Sequence, residues 1–423
     1  MADTAVEGRR TPKVIFVNRY YSPDHSATAQ LLTDLAEHLA MNGDVPVSVL
    51  TSRQCYEDPH RKLPPRELRA GVDVHRVWTS RFGRRNLLGR AIDYLSFYLS
   101  SFVYLLTLVK AGDVLVTKTD PPMISVIGAL VAKIKGARLV NWLQDLFPEV
   151  ARELGVKVAR SPLYDLLKSL RNWSLQVACR NVVLGDIMAG RVDTEVGHPQ
   201  KTLVIPNWII NKTLRPVDDN RNELRREWQL TGKFVVAYSG NLGRAHDYAT
   251  VYQVAQSLRQ YQDIVFLFIG GGAGYEALKN IVEREGLDNI RFYPYQSTDK
   301  LNHSLAVADV HLVSLVPELE GLIVPSKAYG ILAVGKPILF VGSAQGEIAT
   351  LLDSHHCGIS VPPGDADAMT NAILRLVRNT QERETMSHNA RALYEREFYY
   401  GKSITTWERD VLGSLLSEEA FQQ

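Results

Sequence analysis

Three stretches in the second half of the sequence combine small residues with a cation or an acid, and together they describe a pocket for a diphosphate. They are YSGNLGRAHD, with Gly240, Asn241, Gly243 and Arg244; FIGGGAGYEALK, with Gly270, Gly271, Gly272 and Gly274; and EGLIVPSKAYGILAVGKP, with Glu320 ahead of Ser326-Lys327. Small residues let a backbone approach a phosphate closely, helix N-termini present unpaired N–H donors, and Arg or Lys supplies the countercharge. In the last stretch an acid, a Ser-Lys pair and Gly-Lys-Pro interrupt an apolar run, and each polar group there costs free energy if it is desolvated without a partner.

In the first half, Asp145 of NWLQDLFPEV ends a strand-like run. An acid at the carboxyl end of a parallel strand faces the ligand cleft, where it can orient or deprotonate an acceptor hydroxyl; capping the turn before Pro148 is the plainer alternative. His25 and Thr28, in the loop after the first strand, can reach the same cleft or simply lie on the surface.

Other chemistries are excluded. The first predicted strand is followed by NRYYSPDHSATAQ rather than Gly-x-Gly-x-x-Gly, and Gly-x-x-x-x-Gly-Lys-Ser/Thr occurs nowhere, which argues against a dehydrogenase and a P-loop hydrolase. Asp365-Ala366-Asp367 follows Pro-Pro-Gly and opens a helical pattern, so capping explains it better than metal binding. His355 and His356 have no carboxylate at ligand spacing, and no metal site is expected. Cys55, Cys179 and Cys357 are odd in number and widely spaced, fitting a reducing cytosol. MADTAVEGRRTPK lacks the apolar core of a signal peptide.

These residues must be held by elements, and the pattern supplies them twice. VIFVN, a polar loop, TAQLLTDLAEHLAMNG and VPVSVLTS read strand-loop-helix-strand, the unit of a doubly wound parallel sheet, continued by DVLVTKT, ISVIGALVAKIKG, ARLVNWL, VVLG and TLVIPNW. After a polar, Pro-containing link the alternation restarts at FVVAYSGNLG and runs through IVFLFIGGG, NIRFYPY, DVHLVSLV and PILFVG. With 423 residues, two domains of about 200 residues each are the natural division. We expect an acceptor-side domain over 1–213, a donor-side domain over 214–395, and a final helix over 396–423 returning to the first. Two facing sheets can share one ligand site at the carboxyl ends of their strands.

Charge divides along the same line. Residues 1–215 hold 29 Lys and Arg against 20 Asp and Glu, the remainder 19 against 26. The front half therefore suits an anionic partner, a membrane surface or a phosphorylated acceptor, unless the split is an ordinary solvated surface. Within it YLSFYLSSFVYLLTLV, Tyr94 to Val109, is uncharged, and ten Lys or Arg against four acids precede it between Arg53 and Arg90. Too short to span a bilayer, it reads as an interfacial helix inserting residues such as Phe97 and Leu105, with a buried helix as the alternative.

In order, YYSPDHSATAQLLTDLAEHLAMNG, QDLFPE, VIPNW, YSGNLGRAHD, FIGGGAGYEALK, VPSKAYGILAVGKP and CGISVPPGDADAM resemble the family-4 glycosyltransferases of the GT-B fold, nearest the branch that makes capsular, colanic-acid-type or O-antigen polysaccharide. The resemblance covers nearly the whole chain. It implies two Rossmann-like domains and a retaining, metal-independent transfer from a nucleotide sugar, UDP- or GDP-linked, to a polyprenyl-diphosphate-linked or glycan acceptor at the inner face of the plasma membrane. It implies no cofactor and no nucleic acid. Carried over, Arg244, Lys327 and Ser326 meet the departing diphosphate; Gly240, Asn241, Gly243, Gly271, Gly272 and Tyr295 line the nucleotide; Glu320 holds sugar hydroxyls; Asp145 lies beside the acceptor.

Three departures follow. Many relatives carry a second glutamate where Gly330 stands, so ribose recognition differs here. The spacing from Glu320 to that position is ten rather than eight, which leaves Glu318 and Glu320 both open as the donor contact. Gln144 stands where a His often precedes the cleft Asp. A sugar-nucleotide 2-epimerase of the same architecture, and a catalytically silent nucleotide-sugar-binding subunit, are the competing expectations.

Overall fold

The computed structural model describes residues 10–43, 45–55, 58, 61–83, 87–156, 162–210 and 213–416. Arg84 and Arg85 of the basic tract, and the end of the expected final helix over 417–423, lie outside the described residues.

The first half forms β1 (Val14–Val17), β2 (Val47–Ser52), β3 (Arg66–Arg69), β4 (Val72–Val77), β5 (Val114–Lys118), β6 (Arg138–Trp142), β7 (Arg180–Val183) and β8 (Thr202–Val204). They make one sheet in the order β3-β4-β2-β1-β5-β6-β7-β8, and only the β3–β4 hairpin is antiparallel. That hairpin sits inside the tract read only for its positive charge. Its RELR strand is exposed at the sheet edge, so alternation is masked by solvated side chains, and the turn is made by Ala70 and Gly71, both at positive φ.

The second half forms β9 (Phe234–Asn241), β10 (Ile264–Gly271), β11 (Ile290–Tyr293), β12 (Val310–Ser314), β13 (Ile338–Val341) and β14 (Gly358–Val361), all parallel, in the order β11-β10-β9-β12-β13-β14. The inner strands β10, β12 and β13 are buried on both faces, which explains their unbroken apolar runs. In each sheet the order reverses beside the first strand of its half, between β1 and β5 and between β9 and β12. Ligand crevices open at such points.

Helices cover both sheets: α1 (Ala27–Asn42), α2 (Leu87–Leu108), α3 (Ile124–Lys135), α4 (Glu149–Glu153), α5 (Leu163–Val177) and α6 (Asp186–Val196) in the first half, then α7 (Glu223–Glu227), α8 (Ala249–Ser257), α9 (Ala273–Glu285), α10 (Leu301–Ala306), α11 (Lys327–Ala333), α12 (Glu347–His355), α13 (Ala366–Arg378), α14 (Thr380–Leu393) and α15 (Tyr400–Thr406). Their apolar residues recur at helical spacing, as Leu31, Leu32, Leu35 and Leu39 do on α1. Asp365 caps α13, its carboxylate accepting from the Ala368 amide at 2.8 Å. Beyond α14 the chain returns to the first sheet: Ile404, Trp407, Val411 and Leu412 pack among Phe16, Trp142 and Trp208, with the Trp142 and Trp407 rings 4.8 Å apart.

Helix α2 corrects the expectation for the apolar segment. Phe97 and Leu105 are fully buried, packed with Ile15, Val17 and Leu115, so they face the sheet and not a bilayer. The exposed stripe is Leu88, Ile92, Leu95, Leu99 and Val103, each at least 45% exposed. The helix also starts before Asp93, the acid that precedes the uncharged run. That carboxylate turns inward and accepts from the Ser80 hydroxyl at 2.7 Å and from the Phe82 and Gly83 amides at 3.0 Å each, so a buried acid interrupts nothing.

Candidate active site

The glycine turns after β9 and β10 are laced together. Gly240 pairs with Gly270 in register, and a Cβ on Gly270 would lie 2.2 Å from the Gly240 carbonyl oxygen. Gly272, at φ +117, leaves space that the Asn241 side chain occupies, its Oδ1 2.4 Å from where a Cβ would be. The Leu242 amide donates to the Gly271 carbonyl and the Gly274 amide to the Leu242 carbonyl, both at 2.8 Å. Backbone rather than side chains therefore surfaces the carboxyl ends of these strands. Tyr295, 61% exposed, lies with its ring edge 3.3 Å from the Cβ position of Gly271.

Lys327 comes to the same strand ends from the start of α11. Its amine donates to the Tyr238 hydroxyl and lies 3.9 Å from the centre of that ring, and the hydroxyl donates in turn to the Asn241 carbonyl at 2.8 Å. Burial pushes the Lys327 amine down to about 7. Among the described residues no carboxylate pairs with it. His246 stands beside the pair. Its Nδ1 donates to the Ser314 carbonyl at 2.7 Å, and burial, followed by the Lys327 amine, pushes its pKa down to about 4, so the ring is neutral. Arg244 is exposed and makes no hydrogen bond or ion pair among the described residues; Ser326 and Glu318 are exposed as well. A poorly solvated amine and an exposed guanidinium near a backbone-lined turn are groups that can donate to an anion.

Glu320 is buried and faces elsewhere. Its Oε2 accepts from the Glu347 amide at 3.3 Å, at the start of α12. Burial raises its pKa, opposed by that amide and by Arg191. Position 330 is directed at Leu305, whose methyl lies 3.4 Å from the Cβ site of Gly330.

From the first domain, the turn carrying Asp145 meets the loop carrying Glu320. Asp145 and Ile323 form an antiparallel bridge, and the Leu146 amide donates to the Leu322 carbonyl at 3.0 Å. Burial lifts the Asp145 carboxyl to about 6, and Thr119 partly offsets the rise. Its Oδ1 is buried without a hydrogen-bond partner among the described residues. Gln144 is structural: its amide donates to Thr119 Oγ1 at 3.1 Å, and its side-chain oxygen accepts from Asn207 at 2.8 Å. His25 is exposed in the loop before α1, whereas Thr28, expected in that loop, is half-buried in the first turn of α1 itself.

Sequence reasoning missed Tyr238, His246 and Glu347. His246 lay inside a quoted motif but was given no role, and Tyr238 reads as one more apolar residue of a buried strand. Among the described residues no three His, Cys, Asp or Glu side chains are grouped to hold a metal ion.

Comparison with known proteins bears on the family and the fold. Residues 220–393 match the family described as Glycosyl transferases group 1. The chain is 30% identical over 293 residues to the probable glycosyltransferase WbjE of Pseudomonas aeruginosa, covering 69% of this chain and 73% of that protein. It is 26% identical over 393 residues to the putative colanic acid biosynthesis glycosyl transferase WcaI of Escherichia coli K12, covering 88% and 95%. Among solved structures it resembles Anabaena Alr3699/HepE in complex with UDP, with a TM-score of 0.69 at 17% identity over 95% of this chain and 100% of that one.

Proposed function

The chain belongs to the group 1 glycosyltransferases and has the GT-B fold, and from that premise we propose that it is a retaining, metal-independent member of family 4 that moves a sugar from a nucleotide sugar to a lipid-linked or glycan acceptor in cell-surface polysaccharide synthesis. The observation that carries this reading is the Lys327 amine, held by Tyr238 at the strand ends of the second sheet with no carboxylate among the described residues to neutralise it. Charge developing on a departing nucleoside diphosphate is met there by a fixed cation in a site of low polarity, where preorganised charge counts most. Arg244 adds the second cation and replaces the need for a metal. Gly240, Asn241, Gly243, Gly271 and Gly272 admit the nucleotide, Tyr295 borders the base, Ser326 adds a hydroxyl at the diphosphate, and Glu320 or Glu318 meets the sugar.

Asp145 stands on the acceptor side. A carboxyl near 6 is mostly ionised at neutral pH yet more basic than an ordinary aspartate, which suits a group that orients or deprotonates a hydroxyl. UDP and UDP-glucose are bound by the neighbour Alr3699/HepE, which favours a uridine donor over a guanosine one.

The acceptor's lipid places the enzyme at a membrane surface, on the cytoplasmic side. Support comes from α2, whose apolar stripe lies opposite its core face, with exposed Arg81 before it and exposed Lys110 after it. Apolar insertion and attraction to anionic lipid act together in such a helix. Although Leu88–Leu108 is long and apolar enough to cross a bilayer, Asp93 and Phe97 tie it to the protein core, so it lies on the surface.

A thermal-shift screen against UDP-, GDP-, ADP- and dTDP-sugars, with and without magnesium, tests the donor assignment. A selective shift independent of magnesium is expected. Absence of any shift in folded protein overturns the second-domain pocket as the nucleotide site.

A further inference from the structure

Two helices in this protein begin with a glycine and receive their caps from elsewhere in the chain. Gly185 precedes α6 and offers no side chain to the amides of the first turn. The carboxylate of Glu347 takes that place from the other domain, accepting from the Asp186 and Ile187 amides at 3.1 Å each. Gly346 precedes α12 in the same way, and there Glu320 accepts from the Glu347 amide. Both glycines leave the room that these carboxylates occupy. A Cβ on Gly185 would stand 2.4 Å from the Glu347 carboxyl carbon, and one on Gly346 would stand 2.3 Å from Glu320 Oε1.

Glu347 is therefore the middle link of a chain. Its carboxylate holds α6 of the first domain, and its amide holds the acid on the loop that Asp145 and Leu146 meet by backbone pairing. The opposite face of that loop is closed by α6 itself: Gly321, at φ +69, leaves space that the Arg191 side chain fills, with Nε 2.6 Å from the Cβ position. A carboxylate on a helix N-terminus is favoured by the unpaired amides and by the helix dipole, and here that preference acts between domains.

We propose that Glu347 is a positioning residue for sugar transfer: by capping α6 across the domain interface while its amide holds Glu320, it fixes the 319–323 loop against the Asp145 turn. This rests on the reading in which Glu320, and not Glu318, meets the donor sugar and Asp145 the acceptor. The diphosphate contacts at Lys327 and Arg244 lie outside the chain of links. The role is thus to set the distance between the two halves of the reaction and not to bind the donor.

The test compares Glu347→Ala, Glu347→Gln, Gly185→Ala and the Gly185→Ala/Glu347→Ala double variant, each confirmed as folded by circular dichroism. Glu347→Ala is expected to lower kcat by up to about 100-fold, the scale of a small misplacement of reacting groups, with donor KM within about twofold of wild type. Glu347→Gln keeps an oxygen that accepts from the same amides and recovers most of the rate. Gly185→Ala reproduces the defect with Glu347 intact, and adds nothing once Glu347 is alanine, because the clash is then gone. Amide hydrogen exchange at Asp186 and Ile187 reads the clasp without substrate and should speed by about tenfold or more in Glu347→Ala. Unchanged exchange, an unchanged kcat, or losses at Gly185 and Glu347 that multiply each overturn the proposal. A wild-type protein that transfers no sugar overturns the proposed function instead, and the exchange rates still decide the clasp. Should Glu347→Ala fail to fold, Gly185→Ala against Glu347→Gln makes the same comparison.

Discussion

The Lys327 amine and the Tyr238 hydroxyl form a hydrogen bond in which the lysine has no anionic partner among the described residues, and the phenol is itself anchored to the Asn241 carbonyl. An amine with no carboxylate partner among the described residues is available to an anion supplied by a ligand. Lys327→Ala is therefore expected to lower kcat by about 100-fold or more with the fold intact, as when a preorganised charge at the transition state is lost. Tyr238→Phe leaves the charge but frees its direction, and costs about tenfold. Steady-state kinetics on both variants check this; an unchanged rate in Lys327→Ala removes the diphosphate role.

The same burial makes donor binding proton-linked. Lys327 titrates near 7 in the folded protein against 10.5 ordinarily, so between those values the unfolded chain holds a proton that the folded chain lacks. This group makes the fold more stable as pH rises from about 7 toward 10.5. Asp145 has the opposite sign: folded near 6 against 3.8, it holds the extra proton in the folded state, and its contribution falls as pH rises from about 4 to 6. A bound diphosphate restores the charged amine, so donor binding at pH 8 should take up a proton and weaken by up to about tenfold per pH unit above 7. Calorimetry in buffers of different ionisation enthalpy reads the uptake directly, and a null result at pH 8 contradicts it.

The periodic parts of this molecule were legible because burial leaves a signature: parallel strands with both faces covered read as apolar runs, and α1 shows its stripe. The strand-end glycines were legible for a related reason, since backbone contacts such as Gly270 against Gly240 tolerate no side chain. What could not be read was direction. The sequence places Phe97 and Leu99 two residues apart, and so on opposite faces of one apolar helix; one is fully buried and the other 68% exposed, and only the neighbouring sheet decides which. Glu320 and Glu347 were opaque for the same reason, because their partners lie on loops and helices distant in the chain.

That difference of facing makes a membrane prediction with an internal control. Leu95→Ser/Leu99→Ser/Val103→Ser removes apolar surface from the solvent side of α2 and should release the protein from vesicles containing anionic lipid at an unchanged melting temperature. Phe97→Ser instead opens the core beneath the sheet and should cost about 3 kcal/mol or more of stability. Flotation with neutral and anionic vesicles separates the cases. Retention of the triple variant at wild-type levels excludes α2 as the docking helix.

The glycine turns give the last prediction, in which two neighbouring residues with similar backbone angles respond differently. Gly240 has φ +121 and Gly270 φ +137, conformations that L side chains rarely adopt. At Gly240 a Cβ meets nothing within 4 Å, so Gly240→Ala carries the backbone strain alone, about 1–3 kcal/mol. At Gly270 the Cβ would lie 2.2 Å from the Gly240 carbonyl oxygen, where no flexible side chain can yield, so Gly270→Ala must also part the ends of β9 and β10. Its cost should exceed that of Gly240→Ala by more than about 1 kcal/mol, the level at which overpacking of fixed atoms begins. Donor binding should fall with it, because the parted strand ends carry Asn241, which anchors Tyr238 and through it Lys327. Urea denaturation and donor thermal shift on the two variants measure both effects, and equal costs would mean that the two loops do not hold each other in place.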